Sequence, residues 1–243
     1  MFERQKLETT PRRWLGTLGL GVVAAVASQI PALAALALST DYGFNLAKIQ
    51  HAANDGIAVI VLVCVSTPVQ VGLLLAFARR RAPSAFDYLG LRLPRRRDFA
   101  LLVFAAVGLI AADFGFSWLF GTKVVTTFQG DIYRSARLAG ALPWLWLTVV
   151  VVAPIGEETL FRGFLFRGWL KSPRNPWPAI VATSAAWALL HVQYNPLVIG
   201  EIFLVGLAFG WVRATTASTV STMALHAVLN AAGLAETLFA VGG

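Results

Sequence analysis

Residues 154–170 read Pro-Ile-Gly-Glu-Glu-Thr-Leu-Phe-Arg-Gly-Phe-Leu-Phe-Arg-Gly-Trp-Leu, and the ten residues before them, Trp144 to Ala153, are almost wholly apolar. Two adjacent carboxylates, Glu157 and Glu158, therefore fall inside a hydrophobic helix rather than in a loop. An ionisable side chain at membrane depth costs a few kcal/mol at least, and two side by side also repel. Such a pair persists where it has partners and a function. Glu158 and Arg162 stand four apart and share a helical face, so they can pair. Glu157 points about 100° away from Glu158 and can face an interior cavity. A carboxylate with a fixed counter-ion next to one without is a common way to build an acid–base site. The segment taken alone fits a second reading equally well, a helix end at the interface whose Glu and Arg snorkel to water.

The surrounding chain decides the class. Of 243 residues, 57% are hydrophobic and 13% charged, against about 25% charged in soluble domains. There are too few charges to cover a water-facing surface, and the mean hydropathy is +0.69. Seven apolar segments follow one another, at 14–38, 57–78, 99–121, 142–167, 178–194, 197–212 and 217–240. They are too long for strands and do not alternate. In lipid only helices and closed barrels satisfy their own backbone, so the chain is expected to be all-α, a polytopic transmembrane bundle of about seven spans. The 197–212 segment, short of bilayer length, reads as a possible buried half-span. No repeat or soluble module interrupts the pattern. We expect a single membrane domain over 1–243, with accessory helices at 14–140 and the catalytic core at 142–240.

The formal charge of +8 is explained by loops rather than by nucleic acid. Arg79, Arg80, Arg81, Arg92, Arg95, Arg96 and Arg97 crowd the loop 79–98, and Arg4, Lys6, Arg12 and Arg13 precede the first span. The 39–56 loop, with Lys48 against two Asp, is poor in positive charge; the 122–141 loop, with Lys123, Arg134 and Arg137, is less so. The positive-inside rule then sets the N-terminus in the cytoplasm and the C-terminus outside, in a multi-pass protein of the cell membrane. The first apolar run is about twice a signal-peptide core and is expected to be retained as a helix. The single cysteine, Cys64, lies in an apolar run and reads as a structural thiol without a disulfide partner.

Three other polar groups lie within predicted spans. His191 follows Trp187 by four residues, and His226 precedes Asn230 by four, which sets an imidazole and a carboxamide on one helical face. Each alone is as readily helix-packing glue as chemistry. His51 lies in a predicted outer loop and has no such company. Two carboxylates, two imidazoles and an amide in one bundle make an acid–base set. Asp113 and Glu201 are further ionisable groups at membrane depth, candidates to line a substrate path or to pair with a cation. Tyr194, Asn195 and Pro196 read as a turn, and Trp144 and Trp146 as an interfacial belt.

Glu157-Glu158-x-x-x-Arg162, Trp187-x-x-x-His191 and His226-x-x-x-Asn230 together resemble the three motifs of the CPBP family of intramembrane proteases. That family includes eukaryotic CAAX prenyl endopeptidases and bacterial proteins linked to bacteriocin processing and self-immunity. Phe161, Arg162, Gly163 and Leu165 follow the glutamates as that family has them. The second motif more often carries Phe where this chain has Trp187. The resemblance covers about 154–230. It implies an endopeptidase acting on a membrane-associated peptide or protein. Glu157 would be the base that activates a water, assisted by His191. His226 and Asn230 would stabilise the oxyanion, and Glu158 and Arg162 would order the site. No cofactor is expected. Two His and a Glu could ligate a catalytic zinc, but no His-Glu-x-x-His helix is present, so zinc ranks second. A non-proteolytic protein of the same fold, an immunity partner or a transporter-like protein, is the alternative. Transporters often show paired repeats and broken helices in both halves, whereas here the polar groups crowd the second half.

Overall fold

The computed structural model describes residues 11–39, 52–121 and 125–241; Arg4, Lys6, Lys48, His51 and Lys123 lie outside them. Among the described residues every long element is helical and no strand forms. In chain order the helices are α1 (Pro11–Ser39), α2 (Gly56–Arg79), α3 (Phe99–Phe120), α4 (Thr127–Leu138), α5 (Leu142–Trp169), α6 (Trp177–Ala188), α7 (Pro196–Thr216) and α8 (Thr219–Val241). A one-turn helix, Ala85–Leu89, follows α2.

Six of these, α1, α2, α3, α5, α7 and α8, are long and apolar enough to cross a bilayer. Their outer faces carry Val26, Ile30, Phe104, Trp118 and Phe239 in the open. Such a surface suits hydrocarbon, and the chain is a multi-pass membrane protein.

Of the seven expected segments, six are helices of full bilayer length among the described residues; the 178–194 segment is not one continuous helix. Pro176 and Pro178 set its start, and α6 ends after 12 residues, a rise of about 18 Å against about 30 Å of hydrocarbon. Nor is 197–212 a half-span. Asn195 caps it, its Oδ1 accepting from the N–H groups of Leu197 and Val198 at 2.9 and 3.1 Å. Pro196 starts the helix, which then runs 21 residues to Thr216. Tyr194-Asn195-Pro196 is thus the turn into α7.

Contacts tie the helix ends into two opposite layers. At one end Arg81 donates to Thr17 Oγ1 at 2.6 Å, Trp169 Nε1 donates to the Trp14 carbonyl at 3.3 Å, and Lys171 Nζ sits 4.6 Å from the Trp14 ring centre. The α7–α8 turn joins this end. Ala217 closes α7 at φ 56°, a strained conformation for a residue with a Cβ. The turn is held by Ser218 Oγ to the Arg92 carbonyl at 2.5 Å and by the Thr219 N–H to the Gly90 carbonyl at 2.8 Å. At the other end Ser135 Oγ donates to Asp55 Oδ2 at 2.8 Å, and Phe128 meets Tyr194 edge-on at 5.5 Å. The arginine-rich loop 79–98 therefore shares a layer with the start of α1, the end of α5 and the α7–α8 turn. Cys64 is half-buried on α2, its Sγ 3.3 Å from Thr148 Oγ1.

Close packing of α6 on α7 rests on Gly206 and Gly210, one turn apart. A Cβ on Gly206 would lie 2.9 Å from the Cβ of Ser184, and one on Gly210 2.7 Å from a methyl of Ile180. Small residues at this spacing let two backbones approach. Gly206→Val is expected to force the helices apart and to cost about 1–3 kcal/mol, seen as a lower Tm in detergent. Gly200→Ala on the same helix, where a Cβ meets nothing within 4 Å, should leave Tm unchanged.

Candidate active site

The glutamates sit in the most irregular part of the bundle. Helix α5 is interrupted twice by π-helical turns, Thr148–Val152 and Thr159–Leu165, with Glu157 and Glu158 on the short α-helical stretch between them. Pro154 supplies a reason for the first. The Ala153 N–H reaches back to the Thr148 carbonyl, a five-residue step. The next bond of that ladder would need an N–H from residue 154, and proline has none. The Val149 carbonyl accepts instead from Asn230 Nδ2 at 2.8 Å. Asn230 therefore repairs a broken helix from across the bundle, and its amide is oriented as it does so. Its second N–H remains available.

Glu158 and Arg162 form the pair that their spacing anticipates, Oε1 to NH1 at 2.9 Å, with both side chains fully buried. A third partner completes it: His226 Nδ1 lies 3.1 Å from the same Oε1. The carboxylate only accepts, so Nδ1 carries the proton. Arg162 extends further. Its NH2 donates to the Gly206 carbonyl at 3.3 Å, and its guanidinium carbon lies 4.5 Å from the Trp187 ring centre and 5.3 Å from that of Phe209. Stacking on aromatic faces suits a buried guanidinium. The Arg162 carbonyl in turn accepts from Arg213 Nε at 2.9 Å, so α5, α6 and α7 are joined through one side chain and its own backbone.

Glu157 is half-buried and engages a different partner: Trp187 Nε1 donates to its Oε2 at 2.6 Å. His191 Nδ1 lies 2.9 Å from the Trp187 carbonyl. A carbonyl cannot donate, so Nδ1 holds the hydrogen and Nε2 is left with its lone pair. The Trp187 ring centre is 5.3 Å from that of His191 and 5.4 Å from that of His226. One indole thus touches Glu157, Arg162 and both imidazoles. Sequence reasoning treats Trp187 only as the aromatic of a motif. Its indole N–H, which phenylalanine lacks, is the signal that marks it as a partner for the carboxylate. Tyr194 is also more than a turn residue. Its ring lies 6.2 Å from that of His191, nearly parallel.

Trp187, His191, Tyr194, His226 and Asn230 line a cavity of about 220 Å³ between α3, α7 and α8, room for several waters. Five of the six sequence-predicted residues, Glu157, Glu158, Arg162, His191 and His226, are linked through Trp187 and Glu158; the sixth, Asn230, lies one turn along α8 from His226. Among the described residues no three His, Cys, Asp or Glu side chains are arranged to hold a metal ion.

Residues 139–232 match the family model for "Type II CAAX prenyl endopeptidase Rce1-like", which bears out the family resemblance drawn from the motifs. The chain is also similar to a protein of Escherichia coli described as an uncharacterized 24.3 kDa protein. The two are 35% identical over 95 residues, which cover 36% of this chain and 42% of that one. The chain thus spans less than half the length of that relative. No solved structure matches the chain.

If the missing N–H of Pro154 is what frees the Val149 carbonyl, two substitutions are coupled. Asn230→Ala alone leaves a half-buried carbonyl without this partner and should cost about 1 kcal/mol. Pro154→Ala restores an N–H to that ladder, so Asn230→Ala in its background should cost measurably less. A double-mutant cycle of chemical or thermal unfolding in detergent reads the coupling.

Proposed function

We propose that this chain, whose residues 139–232 carry the CAAX-endopeptidase-like family signature, is an intramembrane endopeptidase in which Glu157 activates a water. One observation carries the reading: on a broken helix Glu158 bonds His226 and Glu157 bonds the indole of Trp187, whose carbonyl holds His191, and Trp187, His191 and His226 line one cavity. General-base hydrolysis of an amide needs a base, a water and donors for the oxyanion within one or two contacts of each other.

With Oε2 of Glu157 held by the indole N–H, Oε1 is the oxygen that would accept a proton from a water drawn in beside Trp187. The unprotonated Nε2 of His191 holds the same water on its other side. The water oxygen bonds to the scissile carbonyl carbon, and its proton passes to Glu157. The resulting oxyanion takes hydrogen bonds from the second N–H of Asn230 and from Nε2–H of His226 in its doubly protonated form. Glu158 faces the other nitrogen of His226 and balances the imidazolium charge, while Arg162 keeps Glu158 ionised and fixed. Collapse of the intermediate breaks the C–N bond, and the proton held by Glu157 goes to the leaving nitrogen. The reading needs no metal. The substrate is a peptide or membrane protein whose scissile bond reaches the cavity from the lipid or its surface. The arginine-rich end is proposed to face the cytoplasm, since Arg79 to Arg97 and the α7–α8 turn share that layer.

Two experiments test this. In purified protein with a peptide reporter and a chelator present, Glu157→Gln should lower proteolysis at least about 10²-fold while Tm holds. Glu158→Gln should lose activity together with stability, by roughly 3–5 kcal/mol, because it leaves Arg162 buried without its counter-ion. Full activity in Glu157→Gln refutes the assigned base, and loss on chelation with recovery on adding zinc points to a metal mechanism. For the orientation, exposed Arg96 and Leu138 lie at opposite ends. In a Cys64→Ala background, Leu138→Cys should react with an impermeant maleimide on intact cells and Arg96→Cys should not.

A further inference from the structure

The cavity extends well beyond the hydrolytic groups, and its far part is acidic. Asp113 of α3, Glu201 of α7 and Glu236 of α8 all line it. The carboxyl groups of Asp113 and Glu201 face each other within hydrogen-bonding reach, and Glu236 is close enough to Asp113 for their charges to repel. Among the described residues no Lys or Arg lines the cavity, and none of the three carboxylates has an ion-pair partner. Facing carboxylates in such a place are stable with a shared proton or with a cation between them. Ser117 points independently to a polar ligand. It lines the same cavity at 8% exposure, and among the described residues its hydroxyl makes no hydrogen bond and stays open to the cavity.

The register along α8 gives the distance. His226, Asn230, Gly233 and Glu236 line the cavity on one face of that helix. Ten residues separate His226 from Glu236, about 15 Å at helical rise. An extended peptide advances about 3.3 Å per residue, so 15 Å corresponds to four or five residues. All three carboxylates lie toward the helix ends remote from the arginine-rich loop: Glu201 near the start of α7, Glu236 near the end of α8, Asp113 in the last turns of α3.

We infer that Asp113, Glu201 and Glu236, with Ser117, form a specificity subsite that takes a lysine or arginine side chain of the substrate, four or five residues from the scissile bond. This deepens the peptidase reading above and rests on it. The basic side chain replaces the shared proton with a fixed cation, and the Ser117 hydroxyl accepts one of its hydrogens. The hydrolytic groups then receive the segment at a set register. Substrates with a neutral residue at that position leave the carboxylates facing each other and bind less well.

The test uses the whole chain in detergent and a set of labelled Leu/Ala/Ser peptides, each with one lysine at a successive position or with norleucine in its place. Binding is read by fluorescence anisotropy on Glu157→Gln protein, which needs no turnover, and cleavage on the unmodified protein. The best lysine peptide should bind at least about 10-fold more tightly than its norleucine twin, and the cleaved bond should lie four or five residues from that lysine. In Asp113→Asn/Glu201→Gln/Glu236→Gln the ratio should fall to about one; the single variants, each with its Tm measured, cover the case in which the triple does not fold. Equal binding of lysine and norleucine peptides overturns the subsite while leaving the peptidase reading intact. Lysine-selective binding that the carboxylate variants abolish, without cleavage of any peptide, supports the subsite and counts against the peptidase.

Discussion

The buried pair of Glu158 and Arg162 is the contact on which the rest of the site depends. Both side chains are fully buried, so neither charge is tolerable without the other. Once paired, each reaches further. Glu158 collects His226 from α8, and Arg162 collects the Gly206 carbonyl of α7 and the Trp187 ring of α6. Four helices are thereby fixed around one ion pair in a medium where apolar packing alone gives little reason for a particular register, because lipid is as apolar as the side chains. The pair does for the bundle what a polar residue at a coiled-coil seam does: it selects one alignment from several that hydrophobic matching would accept.

The two glutamates differ because the helix that carries them is not regular. On an ideal helix, adjacent residues point about 100° apart, enough to separate their faces. The π-helical turns on either side make room for partners to approach from three directions. Pro154 accounts for the first turn and for the distant role of Asn230. A side chain that sequence reasoning assigns to catalysis is thus also needed to complete the backbone of α5. The two roles do not compete, since an amide with one N–H anchored presents the other in a fixed direction.

Much of this is legible in the sequence, for identifiable reasons. Span existence follows from long apolar runs with few charges. The i,i+4 pair follows from helical geometry, and the convergence of Glu157, Glu158, His191 and His226 from the cost of leaving each of them in lipid. Other features are not local. Nothing around 178–194 announces that its helix stops at Ala188, because its apolar run continues to Leu190 and Val192. The full length of α7 is hidden in the cap at Asn195 and in the polar residues Arg213 and Thr216, which are buried against α5 and the loop 79–98 and so look like a helix end. The indole bond to Glu157 and the grouping of Glu236 with Asp113 and Glu201 depend on how helices distant in sequence are rotated against each other.

The shortness of α6 bears on how the proposed hydrolytic site would obtain water inside a bilayer. Twelve helical residues cover about 18 Å. Residues 189–195, which complete the crossing, are irregular backbone at membrane depth. Such backbone is tolerated where it is buried in protein or lines a wet cavity. Here His191 and Tyr194 line the cavity, while Leu189, Leu190 and Val192 turn outward and cover the other side with apolar surface. At the end of α6 the Trp187 carbonyl accepts from the Leu190 N–H at 3.2 Å and, with its second lone pair, from Nδ1–H of His191 at 2.9 Å. The turn that ends α6 thus sets the imidazole tautomer beside the cavity.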